Sequence, residues 1–473
     1  LLEPVTKYVR NGFHDKNILQ ISFKSSKKHE MINFEQLAEF YDVLLNLPSR
    51  RPFYQMICSC NDLLRKPGEP IGEFHWILIM FCNPMVRQCL VFKNTDGFDS
   101  LRMRSVSYEL TKRCIGYLSN ISNDKQLGRL IHYLKYLKLD ILQTQVETLN
   151  LYITFHLLKI LRRNNKQTAN SSKTNGNLKV SDIIISYDEA SGNILESHDK
   201  DLLNVKTGNI INSKDFKFKP FEYGDDWHIK TAVRLMLIFH KSNEKRKAML
   251  NFKFLGAEDF YNMMLDFIDY KQDFSNWKGI SGNSPEFFTE LKPSCENKFS
   301  LCNYSFLLSL GIKISIMEYE IHKIMEYEAE QSFLPSLDKG RNGAVYSKIR
   351  VRRDNIANDS LLCIKSHQKD LMKSLRVEFV NEPGVDAGGL RKEWFLLLTK
   401  ALFNPMNGLF TCNEESRFSW PSITPIVFKE EDSASGNGEL YYLFGIVIGL
   451  AIFNGTILDL QFPKAFYKKL CGE

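Results

Sequence analysis

Two glycines in the segment FVNEPGVDAGGLRKEWF, Gly384 and Gly389, have the spacing of a phosphate-binding loop. Such a loop reads G-x-x-x-x-G-K-[ST], because its lysine neutralises phosphate charge and its hydroxyl holds magnesium. Here a leucine and an arginine follow the second glycine, and the carboxylates of Glu382 and Asp386 would repel a phosphate group. The segment therefore argues against a nucleotide site, and we expect no bound cofactor.

The ten cysteines offer a second kind of chemistry, either metal binding or thiol catalysis. Cys58, Cys60, Cys82 and Cys89 form the densest group, but the paired C-x-x-C spacing of a structural zinc site is missing. We therefore expect no metal site. Because the chain shows no secretory leader, we expect reduced thiols in an intracellular protein, cytoplasmic or nuclear or both.

The glycine segment lies between a predicted strand and a predicted helix. In residues 376–380, apolar and charged side chains alternate with the two-residue period of a half-buried strand. Pro383 and Gly384 are typical of a tight turn, and Asp386 can cap the amides that follow. The glycines would then let helix and strand approach closely. The helix ends before Pro405, and its apolar stripe consists of Leu390, Trp394, Leu397, Leu398, Ala401 and Leu402.

A run of 19 uncharged residues, 440–458, has about the length needed to cross a bilayer. Asn454, Gly455 and Thr456 interrupt this run, and no basic cluster adjoins either end. We therefore predict a buried core helix over about 440–453, followed by a turn and a short apolar segment. No membrane partner is expected.

Patterns elsewhere predict a mainly α protein with some β, which is an α+β fold. FEQLAEFYDVLLNL spaces its apolar residues by three and four, as an amphipathic helix does, and similar patterns follow further along. The polar segment 162–177 predicts a linker, and residues 181–197 have strand–turn–strand character. We divide the chain into a helical region at 1–161, a linker with a hairpin at 162–205, a second helical region at 206–349 and a last domain at 350–473.

The net charge of the chain is +7, from 62 basic and 55 acidic residues. Residues 350–473 hold 15 of each sign, so the whole excess lies in residues 1–349. This excess is too small to require a nucleic acid as partner. We expect a slightly basic, solvated surface that binds no nucleic acid.

Three blocks near the end of the chain together resemble the opening of the HECT domain of ubiquitin-protein ligases. The blocks are VRRDNI, LRVEFVNEPGVDAGGLRKEWFLLLTKALFNPMNGLF and YLFGIVIGLAIFNGTILDLQFPKAFYKKLCG, in the order and spacing of the family over about 120 residues. Upstream, ENKFSLCNYSFLLSLGIKISIMEYEIHKIM is similar to the helical run before the domain in the branch that includes the papillomavirus-oncoprotein-associated ligase. Residues 1 to about 250 match no family by motif.

The resemblance implies that residues 350–473 form the first part of the larger N-terminal lobe of a HECT domain, a mostly helical scaffold. It also implies which residues give the lobe its shape without taking part in the reaction. These are Gly384, Asp386, Gly388, Gly389 and Glu393.

The activity that the resemblance implies is transfer of ubiquitin. A HECT ligase accepts ubiquitin from a conjugating enzyme onto its own cysteine, as a thioester, and passes it to a substrate lysine. In the family this cysteine lies in a small C-terminal lobe joined by a hinge, so we expect the nucleophile downstream of Glu473. Cys471 is then a thiol at a helix end and not the nucleophile, and Cys363 and Cys412 are small buried residues. We expect this chain alone to be inactive.

The implied partners of the parent protein are a ubiquitin-conjugating enzyme, ubiquitin and protein substrates, with the substrates held by the N-terminal region. The chain begins at Leu1 and ends just after a predicted helix, which indicates a piece of a longer protein. The alternative function is a non-enzymatic helical scaffold that carries a truncated HECT lobe. A coding sequence that stops at Glu473 would favour this alternative.

Overall fold

The computed structural model describes residues 2–26, 29–65, 74–91, 101–121, 123–171, 220–250, 252–278, 299–339, 345–382, 388–422 and 437–472. Over these residues the protein is mainly helical, with three two-stranded sheets. This confirms the predicted fold class. The chain divides into two compact units, Leu1–Lys313 and Ile314–Glu473, and the division falls inside one long helix.

The first unit consists mainly of helices. A short antiparallel hairpin pairs β1 (Lys24–Ser26) with β2 (His29–Ile32). Short 3-10 turns lie at Glu258–Phe260, Met263–Phe267 and Leu301–Leu307. The α-helices are α1 Leu2–Gly12, α2 Lys16–Ser22, α3 Phe34–Leu45, α4 Arg51–Arg65, α5 His75–Phe81, α6 Pro84–Gln88, α7 Leu101–Ser119, α8 Asp124–Lys135, α9 Leu139–Ser171, α10 Trp227–Lys247 and α11 Tyr270–Lys278.

Helix α3 shows how the sequence pattern produces a packed element. Its N-cap Asn33 accepts a hydrogen bond from the Gln36 amide at 3.1 Å, which satisfies a donor that the helix cannot. Leu37, Tyr41 and Leu44 follow at helical spacing, and all three are buried. The amphipathic helix predicted from FEQLAEFYDVLLNL is therefore confirmed.

Helix α9 is longer than the sequence suggested. It continues through Ser171, into the polar segment that was predicted to be a linker from residue 162. Because the first half of the helix is buried, each further residue only has to add one hydrogen bond to an existing helix, so a polar end can extend it. The predicted hairpin at 181–197 lies outside the described residues, and the division into domains stays a prediction.

A buried carboxylate joins helix α11 to the 3-10 turn at Leu301–Leu307. Asp273 is 3% exposed, and its two oxygens accept hydrogen bonds from the amides of Leu301 (3.2 Å) and Cys302 (3.1 Å). The hydroxyls of Ser300 (3.1 Å) and Tyr223 also donate to it. Burial raises the pKa of the Cys302 thiol, which lies 3.2 Å from the carboxylate, to about 12. Asp273, on α11, thus serves as the common acceptor for polar groups from two other parts of the chain, Tyr223 and residues 300–302.

The second unit contains a parallel strand pair and several helices. Strand β3 (Ser347–Val351) runs parallel to β4 (Leu375–Phe379), with Ser347 opposite Leu375. A short antiparallel pair follows, formed by β5 (Phe410–Cys412) and β6 (Ser419–Pro421). The helices are α12 Leu310–Lys339, which begins in the first unit, α13 Ile356–Ser366, α14 Gly389–Leu402, α15 Asn437–Phe453 and α16 Lys464–Leu470.

The core of the second unit lies between the β3–β4 sheet and helices α13, α14 and α15. On β4, Leu375, Val377 and Phe379 are buried while Arg376 is exposed, which confirms the predicted half-buried strand. On α14 the predicted apolar stripe faces the core, and Trp394 is 0% exposed. The Trp394 indole N–H donates to the Ser360 hydroxyl on α13 at 3.0 Å.

Helix α15 occupies the place predicted for a core helix, and a turn and an irregular segment follow it. It is buried on one side only, because Tyr442 and Ile452 are 42% and 53% exposed. Asn454, just after the helix, accepts a hydrogen bond from the Leu375 amide of β4 at 3.2 Å and donates one to Leu450 at 2.9 Å. Among the described helices, none is both long and apolar enough to span a bilayer.

Candidate functional site

The glycine turn begins at the end of strand β4. The Val380 amide donates to Val351 at 2.9 Å, and the Glu382 amide turns back to Phe379 at 3.2 Å. Residues 383–387, which include Gly384 and Asp386, lie outside the described residues. The turn therefore starts where the sequence predicted, directly after a half-buried strand.

Two consecutive glycines, Gly388 and Gly389, lie at the start of helix α14. Gly388 is the N-cap and has a φ of 105°, in the left-handed region that glycine adopts without strain. A Cβ added at Gly388 or Gly389 would meet no described atom within 4 Å. The prediction that these glycines permit a close approach of helix and strand is therefore wrong at both positions. Gly388 is needed for its backbone angle, and nothing in the structure explains Gly389.

Arg353 joins the two sides of the turn. Its Nε and Nη2 donate to both carboxylate oxygens of Glu382, with an Nη2–Oε2 distance of 2.9 Å. Its Nη1 donates to Glu393 of α14 at 2.7 Å, and its guanidinium lies 4.2 Å from the ring centroid of Phe379. The ion pair lowers the pKa of Glu382 and raises that of Arg353. One side chain thus connects the end of the strand to the first turns of the helix.

The charges at the described ends of the turn would disfavour a bound phosphate. The carboxylates of Glu382 and Glu393 share one arginine, so an incoming phosphate would have to compete with two carboxylates for the same cation. If Glu393 helps to shape this region, as predicted, it must contact another segment, and its ion pair with Arg353 is such a contact. The ion pairs of Arg353 therefore connect the strand to the helix on the two sides of the turn.

We expect Arg353→Ala to loosen this turn without unfolding the protein. Glu382 and Glu393 would lose their shared partner, so the amides of Val380 and Glu382 should exchange hydrogen faster in a mass-spectrometric exchange experiment. Because the pair lowers the pKa of Glu382, it stabilises the folded state above the ordinary glutamate pKa of about 4.3 and is lost as pH falls through the lowered value.

The melting temperatures of wild type and Arg353→Ala should therefore differ at pH 7 and converge towards pH 3. Arg353→Lys is the matched variant, because it keeps the charge but cannot form the two-pronged contact. It should show intermediate exchange rates. Equal exchange in wild type and Arg353→Ala would contradict the proposed link.

A second turn, between strands β5 and β6, places an arginine in an unusual backbone conformation. The Asn413 side chain accepts hydrogen bonds from the amides of Glu415 (3.0 Å) and Ser416 (2.9 Å), and the Arg417 amide donates to the Asn413 carbonyl at 2.8 Å. Arg417 has a φ of 57°, a left-handed conformation that costs a residue other than glycine about 1 kcal/mol. The hydrogen bonds of Asn413 hold the turn in this strained form.

A groove of about 700 Å³ lies beside this turn. Helix α14, the β5–β6 hairpin and the irregular segment 455–461 form its walls. Apolar and charged side chains both line it, among them Lys392, Leu396, Lys400, Arg417, Ile457 and Asp459.

The three cysteines of the second unit lie in different surroundings. Cys471 is exposed at the C-terminal end of α16, the helix-end position expected for it. Cys363 is half-buried, and its thiol donates to the Arg350 carbonyl at 3.3 Å. Cys412 is exposed, so the prediction that it is a small buried residue is wrong. It lies at the end of β5, where Thr411 is also exposed, because a two-stranded hairpin covers little of its own surface.

Three of the described cysteines of the first unit are buried in its helical core, namely Cys60, Cys89 and Cys114. Burial raises the pKa of Cys82 to about 12 and that of Cys89 to about 11, and it also raises the pKa of Cys60. Cys89 donates to the Val86 carbonyl at 3.2 Å. In the described parts of the chain, no three side chains of the metal-ligating types come together as a site.

The roles of two arginines in these turns were not predicted from the sequence. Arg353 was noted only as part of VRRDNI, although a cation close to a turn that carries several carboxylates was a usable signal. Arg417 gave no signal, because the sequence does not show that a residue other than glycine takes a left-handed angle.

Comparisons with known proteins show which family the chain resembles. Residues 396–473 match the HECT-domain (ubiquitin-transferase) family. The chain is 43% identical to the probable E3 ubiquitin-protein ligase HUL4 of Eremothecium gossypii over 491 aligned residues, which cover 96% of this chain and 57% of that protein. This similarity takes in most of the N-terminal region, where no motif had indicated a family.

More distant relatives match a smaller part of the chain. The probable E3 ubiquitin-protein ligase mug30 of Schizosaccharomyces pombe is 39% identical over 52% of this chain and 27% of its own length. The probable E3 ubiquitin-protein ligase HECTD2 of Homo sapiens is 32% identical over 55% of this chain and 31% of its own length. The chain thus spans just over half of the first relative and about a third or less of the other two. The narrower branch near the papillomavirus-oncoprotein-associated ligase stays a prediction. Residues 396–473 thus match part of a HECT domain, and the chain is similar over most of its length to a HECT-type ubiquitin-protein ligase.

Proposed function

We propose that the protein containing this chain transfers ubiquitin through a cysteine thioester. A cysteine thiolate attacks the thioester carbonyl of a charged conjugating enzyme, and the thiolate of that enzyme leaves. The amine of a substrate lysine then attacks the new thioester carbonyl and loses a proton, so that an amide bond forms and the cysteine leaves as a thiolate. The observation that carries the proposal is the HECT-domain match at residues 396–473. The second unit then supplies a scaffold whose core and turn hold its shape.

We place the nucleophile downstream of Glu473. A reactive cysteine needs a basic neighbour or a lowered pKa. Among the described cysteines, no thiol forms a hydrogen bond with a histidine, lysine or arginine side chain, and burial raises the pKa of several of them. Cys471 is exposed and lies at a helix end, without such a partner in the described residues.

The remaining assignments follow from the same proposal. Protein substrates would bind the helical region before residue 350, and the conjugating enzyme and ubiquitin would bind mainly through parts downstream. An intracellular location, cytoplasmic or nuclear or both, is supported by the cysteines, since all nine in the described residues are free thiols.

The test is a thioester assay with charged conjugating enzyme. We expect the full-length protein to form a ubiquitin adduct that a thiol reductant removes, and we expect the 473-residue chain to form none. In the full-length protein, Cys471→Ala should leave the adduct unchanged.

Two outcomes would contradict the proposal. An adduct on the 473-residue chain that Cys471→Ala abolishes would show that the nucleophile is misplaced. A full-length protein that forms no adduct with any of a panel of conjugating enzymes would favour the non-enzymatic helical scaffold instead.

A further inference from the structure

The groove beside the β5–β6 turn has no part in the proposed thioester chemistry. Its volume of about 700 Å³ is in the range of sites that hold a ligand or several side chains of a partner. Two apolar side chains in its walls remain open to solvent, since Leu396 is 48% and Ile457 is 97% exposed. An occupant would therefore gain apolar contact area.

The charges that line the groove are unbalanced. Lys392, Lys400 and Arg417 supply three cations against the single carboxylate of Asp459. Within the described residues, no carboxylate forms an ion pair with any of these three cations, although many other surface cations in the unit are paired. The groove therefore favours an anionic occupant.

The backbone of Arg417 is an independent observation in the same place. Its φ of 57° is a conformation that glycine takes without strain. The turn itself is fixed by hydrogen bonds to Asn413 and uses no side-chain atom of Arg417. Packing of the turn thus gives no reason for an arginine at this position, whereas a carboxylate bound in the groove does.

We infer that this groove binds a short segment of a partner protein that carries both apolar and acidic side chains. The apolar side chains contact Leu396 and Ile457, and the carboxylates contact Arg417 and the two lysines. Apolar contact supplies most of the affinity, and the charge pairs set the orientation and favour acidic sequences over basic ones. This binding does not depend on ubiquitin transfer.

The test begins with selection of random peptides displayed on phage against the 473-residue chain. We expect the selected peptides to combine net negative charge with apolar residues. Synthetic copies are then titrated by fluorescence anisotropy. Arg417→Gly should weaken binding about tenfold and reduce its dependence on salt, because one charged contact is lost.

The same variant separates a binding role from a structural one. The melting temperature of Arg417→Gly should stay close to that of wild type, because relief of the left-handed backbone offsets the freedom that glycine adds to the unfolded chain. Lys369→Ala is the matched control, since it removes one exposed cation outside the groove and should leave affinity unchanged. Ile457→Ala should weaken binding through the apolar contact.

The inference is overturned if the selection yields basic or uncharged peptides. It is also overturned if Arg417→Gly and Lys369→Ala change the affinity equally, or if Ile457→Ala has no effect.

Discussion

Asp273→Ala is expected to lower the free energy of unfolding of the first unit by about 2–4 kcal/mol, because several hydrogen bonds to a buried charged group are lost. The substitution leaves the Leu301 amide without its acceptor. The Cys302 amide and the hydroxyls of Ser300 and Tyr223 lose their bonds to the carboxylate and keep only a second, neutral acceptor each. Each buried donor left without a partner costs about 1–3 kcal/mol, and water entering the space recovers part of the sum. The measurement is urea unfolding of the 473-residue chain, followed by circular dichroism.

The fluorescence of Trp277 provides a local signal in the same unfolding experiment. Its indole N–H donates to Asn303 at 3.0 Å, and Asn303 lies in the turn that Asp273 anchors. Asp269→Ala is the matched control. Asp269 caps α11 from a half-buried position, and the loss of such a cap should cost only about 1 kcal/mol. The loss of unfolding free energy for Asp273→Asn should lie between the losses for Asp269→Ala and Asp273→Ala. Asparagine keeps one acceptor oxygen but places an NH₂ group next to other donors. Equal effects of Asp273→Ala and Asp269→Ala would show that the buried network contributes little.

Trp394→Ala is expected to destabilise the second unit by about 3–5 kcal/mol, the range for removing a large buried aromatic side chain. Trp394 is 0% exposed on α14 and contacts α13 through its hydrogen bond to Ser360. The substitution leaves a cavity and removes this partner. Because α14 also carries Glu393, we expect faster hydrogen exchange around the glycine turn as well.

Trp420→Ala is the matched control for Trp394→Ala. Trp420 is 39% exposed on β6, so its loss should cost less than about 1 kcal/mol. Trp394→Phe should be milder than Trp394→Ala, since most of the ring volume is kept. A loss below about 1 kcal/mol for Trp394→Ala would mean that the core does not depend on this side chain.

Elements with strong periodicity could be predicted from the sequence. The alternation at 376–380 gave strand β4, and the apolar stripe of α14 gave a helix that packs Trp394 into the core. The uncharged run at 440–458 gave α15 and the turn after it, because polar residues interrupt the run where the helix ends. In each case the burial of one face follows directly from the order of the side chains.

Features that depend on distant residues could not be predicted. Arg353 reaches Glu382 and Glu393 only because the parallel pairing of β3 with β4 brings its strand end beside the turn. Asp273 likewise meets Tyr223 and Ser300 through tertiary folding. Two other features were missed for local reasons. The polar residues 162–171 did not show that a buried helix could extend through them. The residue type of Cys412 did not show how little of this side chain the neighbouring strand covers.

The hydrogen bond from Leu375 to Asn454 has a consequence for folding during synthesis. The same core contains Ile349 and Phe462, so about 110 residues separate its first and last members. At translation rates of about 5–20 residues per second, the first strand waits roughly 5–25 s after it emerges from the ribosome before its last partner is made. During that interval its apolar face is open to chaperones, whereas the first unit is already complete and free to fold.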